Sequence, residues 1–181
     1  MNEIADGLWV SDIDSAREDD TSRFDRVVTV CQDMVRDNIS ERQAYEHYPL
    51  CDGPEPEERW GGSVSDSSLT RDQNGVKGVA SYELFLLAAN SVYYAWRHRG
   101  ETVLVHCHHG QSRSVAVVAA VVGRWRGYDA FEALDVVSAS RPQADPGHVM
   151  FDYLERYLDQ YNPSLSENNV WAEIAAEDDV L

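Results

Sequence analysis

Short apolar runs alternate with longer amphipathic stretches along this chain, and that alternation predicts its architecture. Residues 3–10 predict a hairpin, and residues 26–31 form an apolar run expected as a buried strand. Residues 45–51 predict a second strand and residues 102–106 the central one. Between these last two, Val79–Arg97 places Leu84, Leu87, Ala88, Ser91 and Ala95 at helical spacing, predicting a long amphipathic helix that Gly100 closes. Residues 113–126, 129–139 and 147–160 predict three further helices. Strands separated by helices imply an α/β fold: a central mixed or parallel sheet of about four to five strands with helices on both faces.

Two segments fall outside that plan. Residues 53–77 are rich in Gly, Pro, Ser, Asp and Glu around a lone Trp60. Loops of that length are uncommon and tend to be functional or disordered. Residues 162–181 read as an acidic tail. Its Val170, Trp171, Ile174 and Ala175 suit one short apolar helix face docking on the domain, with disorder the other reading.

Composition narrows the classes. With 181 residues the chain is expected to form one domain with a full core. Asp and Glu total 32 against 15 Lys and Arg, for a net charge of −17, and Lys77 is the single lysine. Such charge repels itself in a compact chain unless salt screens it, and the composition is similar to that of proteins from salt-accumulating halophiles. An acidic mesophilic protein with a disordered tail is the alternative. No basic stripe favours nucleic acid as a partner. No run of eighteen apolar residues predicts a membrane span. The start, Met1 to Asp6, shows no secretory signal, and three cysteines without framework spacing fit a reducing cytosol. The expectation is a cytoplasmic enzyme of unassigned oligomeric state.

Its chemistry lies in the run Val103-Leu104-Val105-His106-Cys107-His108-His109-Gly110-Gln111-Ser112-Arg113-Ser114. An apolar strand delivers Cys107 into a tight loop that closes at Arg113, where a helical pattern begins. Free N–H groups at a helix start, together with the positive end of its dipole, make an anion cradle. Such a cradle favours the thiolate of a cysteine at its base. The dipole supplies only about 0.3–1 kcal/mol, and up to about 2 kcal/mol when partly buried. Loop amides, the Ser114 hydroxyl and the Arg113 charge must therefore add to it. The planar guanidinium also suits a pair of phosphate oxygens. Metal binding by His106-Cys107-His108-His109 is disfavoured, because four consecutive residues do not converge on one ion and no paired ligand spacing accompanies them. Sulfur-transfer or redox chemistry would use a similar loop cysteine, but Ser114 after the arginine argues against it.

His-Cys-x-x-Gly-x-Ser-Arg-Ser after an apolar strand resembles the signature of cysteine-dependent phosphatases of the protein tyrosine phosphatase superfamily, in particular the dual-specificity group. The resemblance extends to Gly7-Leu8-Trp9-Val10, Phe24 to Val30, Tyr48-Pro49-Leu50-Cys51-Asp52, Ser140-Arg141-Pro142 and Phe151-Asp152-Tyr153-Leu154. It implies a phosphatase-like fold and a catalytic domain over residues 1–161, with 53–77 as an inserted loop. It implies phosphotyrosine in proteins as substrate, with phosphoserine and phosphothreonine admitted by a shallow pocket.

The same resemblance assigns the roles. Cys107 is the nucleophile, Arg113 and the loop amides hold the phosphoryl oxygens, and Ser114 serves the departing thiolate. Asp52 ranks first as general acid, ahead of Asp72 and Asp66, whose bland reading is solvated loop charge. His108, His109, Gly110, Gln111 and Ser112 are expected to contact substrate around the rim, while His106 orders the loop through backbone carbonyls. Arg141 resembles a family arginine near the mouth that meets a second anion, although a turn before proline explains it equally well. No cofactor or metal is implied. RNA 5′-ends or phospholipids are alternative substrates for the same Cys-x5-Arg chemistry, and a phospho-residue binding module without turnover is the non-enzymatic alternative.

Overall fold

The computed structural model describes residues 1–52, 69–71, 77–79 and 81–162, the two three-residue segments by their backbone only. Seven strands are defined: β1 (Asn2–Ala5), β2 (Leu8–Ser11), β3 (Arg26–Thr29), β4 (Ala44–His47), β5 (Leu69–Arg71), β6 (Lys77–Val79) and β7 (Val103–His106). The helices are α1 (Ile13–Glu18), α2 (Tyr82–Tyr93, continuing as a π-helical turn over Tyr94–His98), α3 (Arg113–Arg126), α4 (Ala130–Ser140) and α5 (His148–Tyr161). Strands β5 and β6 pair antiparallel, β5 inside the segment read as an inserted loop and β6 running from its last residue, Lys77, to Val79, where the helix was expected to start.

The remaining five strands form one sheet in the order β1-β2-β7-β3-β4, with β1 antiparallel to β2 and the rest parallel. The expected central strand is central. All four residues of β3 and of β7 are buried, as parallel strands covered on both faces require. Register aligns Ser11 of β2, His106 of β7 and Thr29 of β3. The residues that follow them, Asp12, Cys107 and Val30 to Gln32, therefore emerge together at the C-terminal edge, where open α/β sheets bind ligands.

Helix α3 is the pillar behind that edge, buried continuously from Arg113 to Gly123. At Gly123 an added Cβ would lie 2.8 Å from Leu158 and 3.1 Å from Ala133, so the missing side chain lets α4 and α5 close on α3. Gly127 ends the helix in the left-handed region, φ +71°. Asp129 and Glu132 then start α4 as a reciprocal capping box.

Three expectations shift. Helix α2 starts at Tyr82, capped by Ser81, and buries Phe85, Ala88, Ala89 and Val92, with Ala95 and Trp96 in the π-helical turn. Leu87, placed on the buried face from spacing, is 59% exposed. Packing follows the aromatic and small residues that fit against α3 and α5. Strand β4 ends at His47 rather than residue 51. Asn162, the first residue assigned to the tail, is buried, and its amide donates to the carbonyls of Gly123 and Tyr128. Residues 163–181 lie outside the described residues.

Candidate active site

Residues 107–112 form the turn between the central strand and the start of α3. Cys107 sits at its base, 2% exposed. Two donors face its sulfur: the Gly110 N–H and the Ser114 hydroxyl, each 3.2 Å from Sγ. Arg113, the first residue of α3, is also buried. Its Nη1 donates to Gln32 Oε1 (2.8 Å) and to the Leu50 carbonyl (3.2 Å), while its Nε has no partner among the described residues. An unpaired buried donor is costly, and one on a guanidinium awaits an anion. Cys107 and Arg113 share a cavity of about 190 Å³ with Asp52, His109, Gln111, Ser112, Asp145 and Gly147. Sulfur, guanidinium and a carboxylate thus converge on space for one tetrahedral anion.

The turn needs Gly110. Its φ is +63°, and a Cβ there would overlap Arg141 Nη2 and stand 2.7 Å from the Ser11 backbone. Arg141 is not a mouth residue. It is 1% exposed, with Nε on the Gly110 carbonyl, Nη1 on Asn2 Oδ1 (2.7 Å) and Nη2 on Asp12 Oδ2 (3.3 Å) and the His109 carbonyl (3.4 Å). The side chain runs inward as a strut under the loop and each of its three nitrogens has a partner, so the expected second-anion contact is withdrawn. Burial works to raise the Asp12 carboxyl, but Ser15 and Arg141 together hold it below its ordinary range. Gly110→Ala is expected to cost about 2–4 kcal/mol, since a forced left-handed residue adds to a clash with rigid backbone. Urea unfolding checks this, and a midpoint within experimental error of wild type would show that the turn can relax.

His106 is fully buried, with Nε2 2.7 Å from Thr29 Oγ1. Its Nε2 partner is thus a hydroxyl on β3, because β3 and β7 place Thr29 and His106 side by side, and a backbone hydrogen bond with Cys107 adds to it. Burial pushes the imidazole down to about 4 from 6.5. The unfolded chain binds this proton near pH 6.5 and the folded chain only near pH 4. Stability held above the first value is therefore lost as pH falls toward the second, by about 3 kcal/mol. The slope of urea midpoint against pH between 7 and 4 should be shallower in His106→Asn than in wild type. Parallel slopes would assign the acid sensitivity to other groups. Cys31, at the end of β3, is held as a thiol: burial, then the charge of Cys107, pushes it up to about 12. Cys31, Cys51 and Cys107 are all free.

Around the rim, His108 Nδ1 lies 3.2 Å from Asp33 Oδ2 and its ring meets His109 edge-on. His109 and Gln111 are exposed at the cavity, whereas Ser112 is 7% exposed and turned toward Asp52. Asp52 Oδ1 accepts from the Ser112 hydroxyl at 2.7 Å. The structure therefore brings Asp52 and Cys107, 55 positions apart in sequence, to one cavity. Asp66 and Asp72 lie outside the described residues. Gln32, the Leu50 carbonyl, Asp33, Asp145 and Gly147 join the site without having been singled out in the sequence. Of these, Asp145 had the plainest signal, a carboxylate shortly after the Ser-Arg-Pro turn.

Comparison with known proteins places this geometry. The profile of the family described as dual specificity phosphatase, catalytic domain, matches residues 73–173. A 58-residue stretch is 38% identical to dual specificity phosphatase 28 of Homo sapiens, covering 32% of this chain and 33% of that protein. The chain thus spans about a third of the length of the curated relatives it matches. Among solved structures, human DUSP28 superposes with a TM-score of 0.63 at 20% identity, covering 88% of this chain and 96% of that one. Human tyrosine phosphatase-like serine/threonine/tyrosine-interacting protein gives a TM-score of 0.65 at 20% identity, covering 89% and 97%. At such identities the likeness is one of fold.

Proposed function

Because the chain belongs to the dual specificity phosphatase catalytic-domain family, we propose that it hydrolyses phosphotyrosine, and phosphoserine or phosphothreonine, in proteins through a phosphocysteine intermediate. The observation that carries this reading is the unpartnered Nε of Arg113 beside a buried Cys107 whose sulfur faces two donors. In the first step the Cys107 thiolate attacks phosphorus in line, and the P–O bond to the side-chain oxygen breaks. Asp52 gives its proton to the departing oxygen. The Arg113 guanidinium and the loop amides hold the three equatorial oxygens as charge shifts between entering and leaving atoms. In the second step Asp52 takes a proton from water, which attacks phosphorus. The Cys107–P bond breaks, and the Ser114 hydroxyl receives the returning thiolate in a hydrogen bond. Neither step calls on a metal or cofactor.

The loop holds no lysine, which favours phosphoprotein over phosphoinositide. The net charge of −17 disfavours RNA and supports operation at high salt, and three free cysteines support a cytoplasmic setting. The test is phosphate release by the wild-type protein with chelator present, in dilute and concentrated KCl. The substrates are phosphotyrosyl and phosphothreonyl peptides, a 5′-triphosphorylated RNA and a short-chain phosphoinositide. Chelator-resistant release from the phosphotyrosyl peptide is expected to exceed that from RNA or lipid. A folded protein that releases nothing from either peptide would overturn the reading.

A further inference from the structure

Two carboxylates line the cavity, Asp52 and Asp145, and the fold treats them differently. Asp145 is tied to the phosphate loop through its main chain, its N–H donating to the Gln111 carbonyl at 2.8 Å. Asp52 is tied through its carboxylate, Oδ1 receiving the Ser112 hydroxyl at 2.7 Å. Ser112 is itself fixed. It is buried at the position immediately before α3, and its Oγ accepts the Gly147 N–H at 3.1 Å. Gly147 is the cap residue of α5, so the chain Gly147 N–H, Ser112 hydroxyl, Asp52 carboxylate links three segments at this site.

We infer that Ser112 is a positioning residue for the general acid, aiming Asp52 through a hydroxyl that Gly147 orients. This rests on the reading of Asp52 as that acid, and it replaces the expectation that Ser112 contacts substrate. A hydroxyl has one proton to give. With the Gly147 N–H on one lone pair, the Ser112 proton is directed at Oδ1, which leaves Oδ2 to carry the catalytic proton. Asp52 needs such help because it is exposed and follows β4 by five residues, so neither packing nor a regular element fixes its rotamer. The bond becomes charge-assisted, and stronger, once Asp52 has given up its proton. A freely rotating carboxyl would lose the near-attack alignment on which proton transfer to the leaving oxygen depends.

The experiment compares phenyl phosphate, whose leaving group needs a proton, with p-nitrophenyl phosphate, whose leaving group departs without one. The proteins are wild type, Ser112→Ala, Asp52→Asn and the double variant, with folding checked by thermal melts. Ser112→Ala is expected to lower kcat on phenyl phosphate by about tenfold and on p-nitrophenyl phosphate by less than about threefold, with KM little changed. Asp52→Asn should show the same selectivity with a larger loss, and the double variant should lose no more than Asp52→Asn alone. Gly147→Pro removes the anchoring N–H at a residue whose φ of −57° proline accepts, and is expected to reproduce the selective loss in smaller measure. Equal losses on both substrates, a rise in KM alone, or additivity in the double variant would overturn the positioning role. If Asp52→Asn itself fails to discriminate the substrates, the assignment of the acid falls first and the role of Ser112 with it.

Discussion

Cys107→Ser is expected to lower phosphate release from a phosphotyrosyl peptide by roughly four orders of magnitude or more while leaving the fold intact. The substitution is close to isosteric at a 2% exposed position, and the Gly110 N–H and Ser114 hydroxyl remain to satisfy the new oxygen. What disappears is the thiol nucleophile, since a serine hydroxyl held by two donors has no neighbouring base to deprotonate it. His106 does not replace that base: its Nε2 is engaged with Thr29. The anion cradle survives, so the variant should still bind phosphopeptide and retain it in a pull-down. Activity within tenfold of wild type would place the nucleophile elsewhere.

Arg113→Lys comes second, with an expected loss of about 10²–10³ in kcat/KM, the range for removing one preorganised transition-state donor. Charge is conserved, so any loss reports geometry. The guanidinium is gripped on its Nη1 by Gln32 and the Leu50 carbonyl, which leaves the Nε edge for the phosphoryl group. A lysine ammonium is a compact point charge that cannot serve both sets of partners in one plane. Kinetics on phosphotyrosyl peptide read this directly, and a lysine variant that keeps a third or more of wild-type activity would show that charge alone suffices. Gln32→Ala should then cost less than Arg113→Lys, because it removes only one support of the same group.

The parts of the site that were legible in the sequence are those the chain holds in one stretch. Cys107, Gly110, Arg113 and Ser114 lie between the end of an apolar strand and the start of a helix, and local geometry alone converts that spacing into a cradle. Asp52 was legible for a related reason: it follows a strand of a parallel sheet, although β4 stops five residues before it, and such strands deliver their following residues to one edge. Gln32, Asp33 and the Leu50 carbonyl were not, because they reach the site only through the pairing of β3 with β7 and of β4 with β3, which no local pattern encodes. Arg141 shows a different limit. An arginine before proline reads as surface, and only the packed loop reveals that its donors are used inside. Leu87 was misplaced because spacing alone does not rank Phe85 and Val92 above it for packing. Side-chain shape against α3 and α5 decided that face.

The Arg141 strut reaches further than the loop it supports. Asn2 accepts its Nη1 and returns an amide hydrogen bond to the Ser140 carbonyl at 2.8 Å. The first strand of the chain is thus clamped to the same guanidinium that carries the Gly110 carbonyl. The loop that holds Cys107 is therefore tied by hydrogen bonds to an edge strand remote from the chemistry. An affinity tag fused ahead of Met1, or a protease that trims a few residues there, is expected to loosen that clamp, and a lowered melting temperature in such preparations would show it.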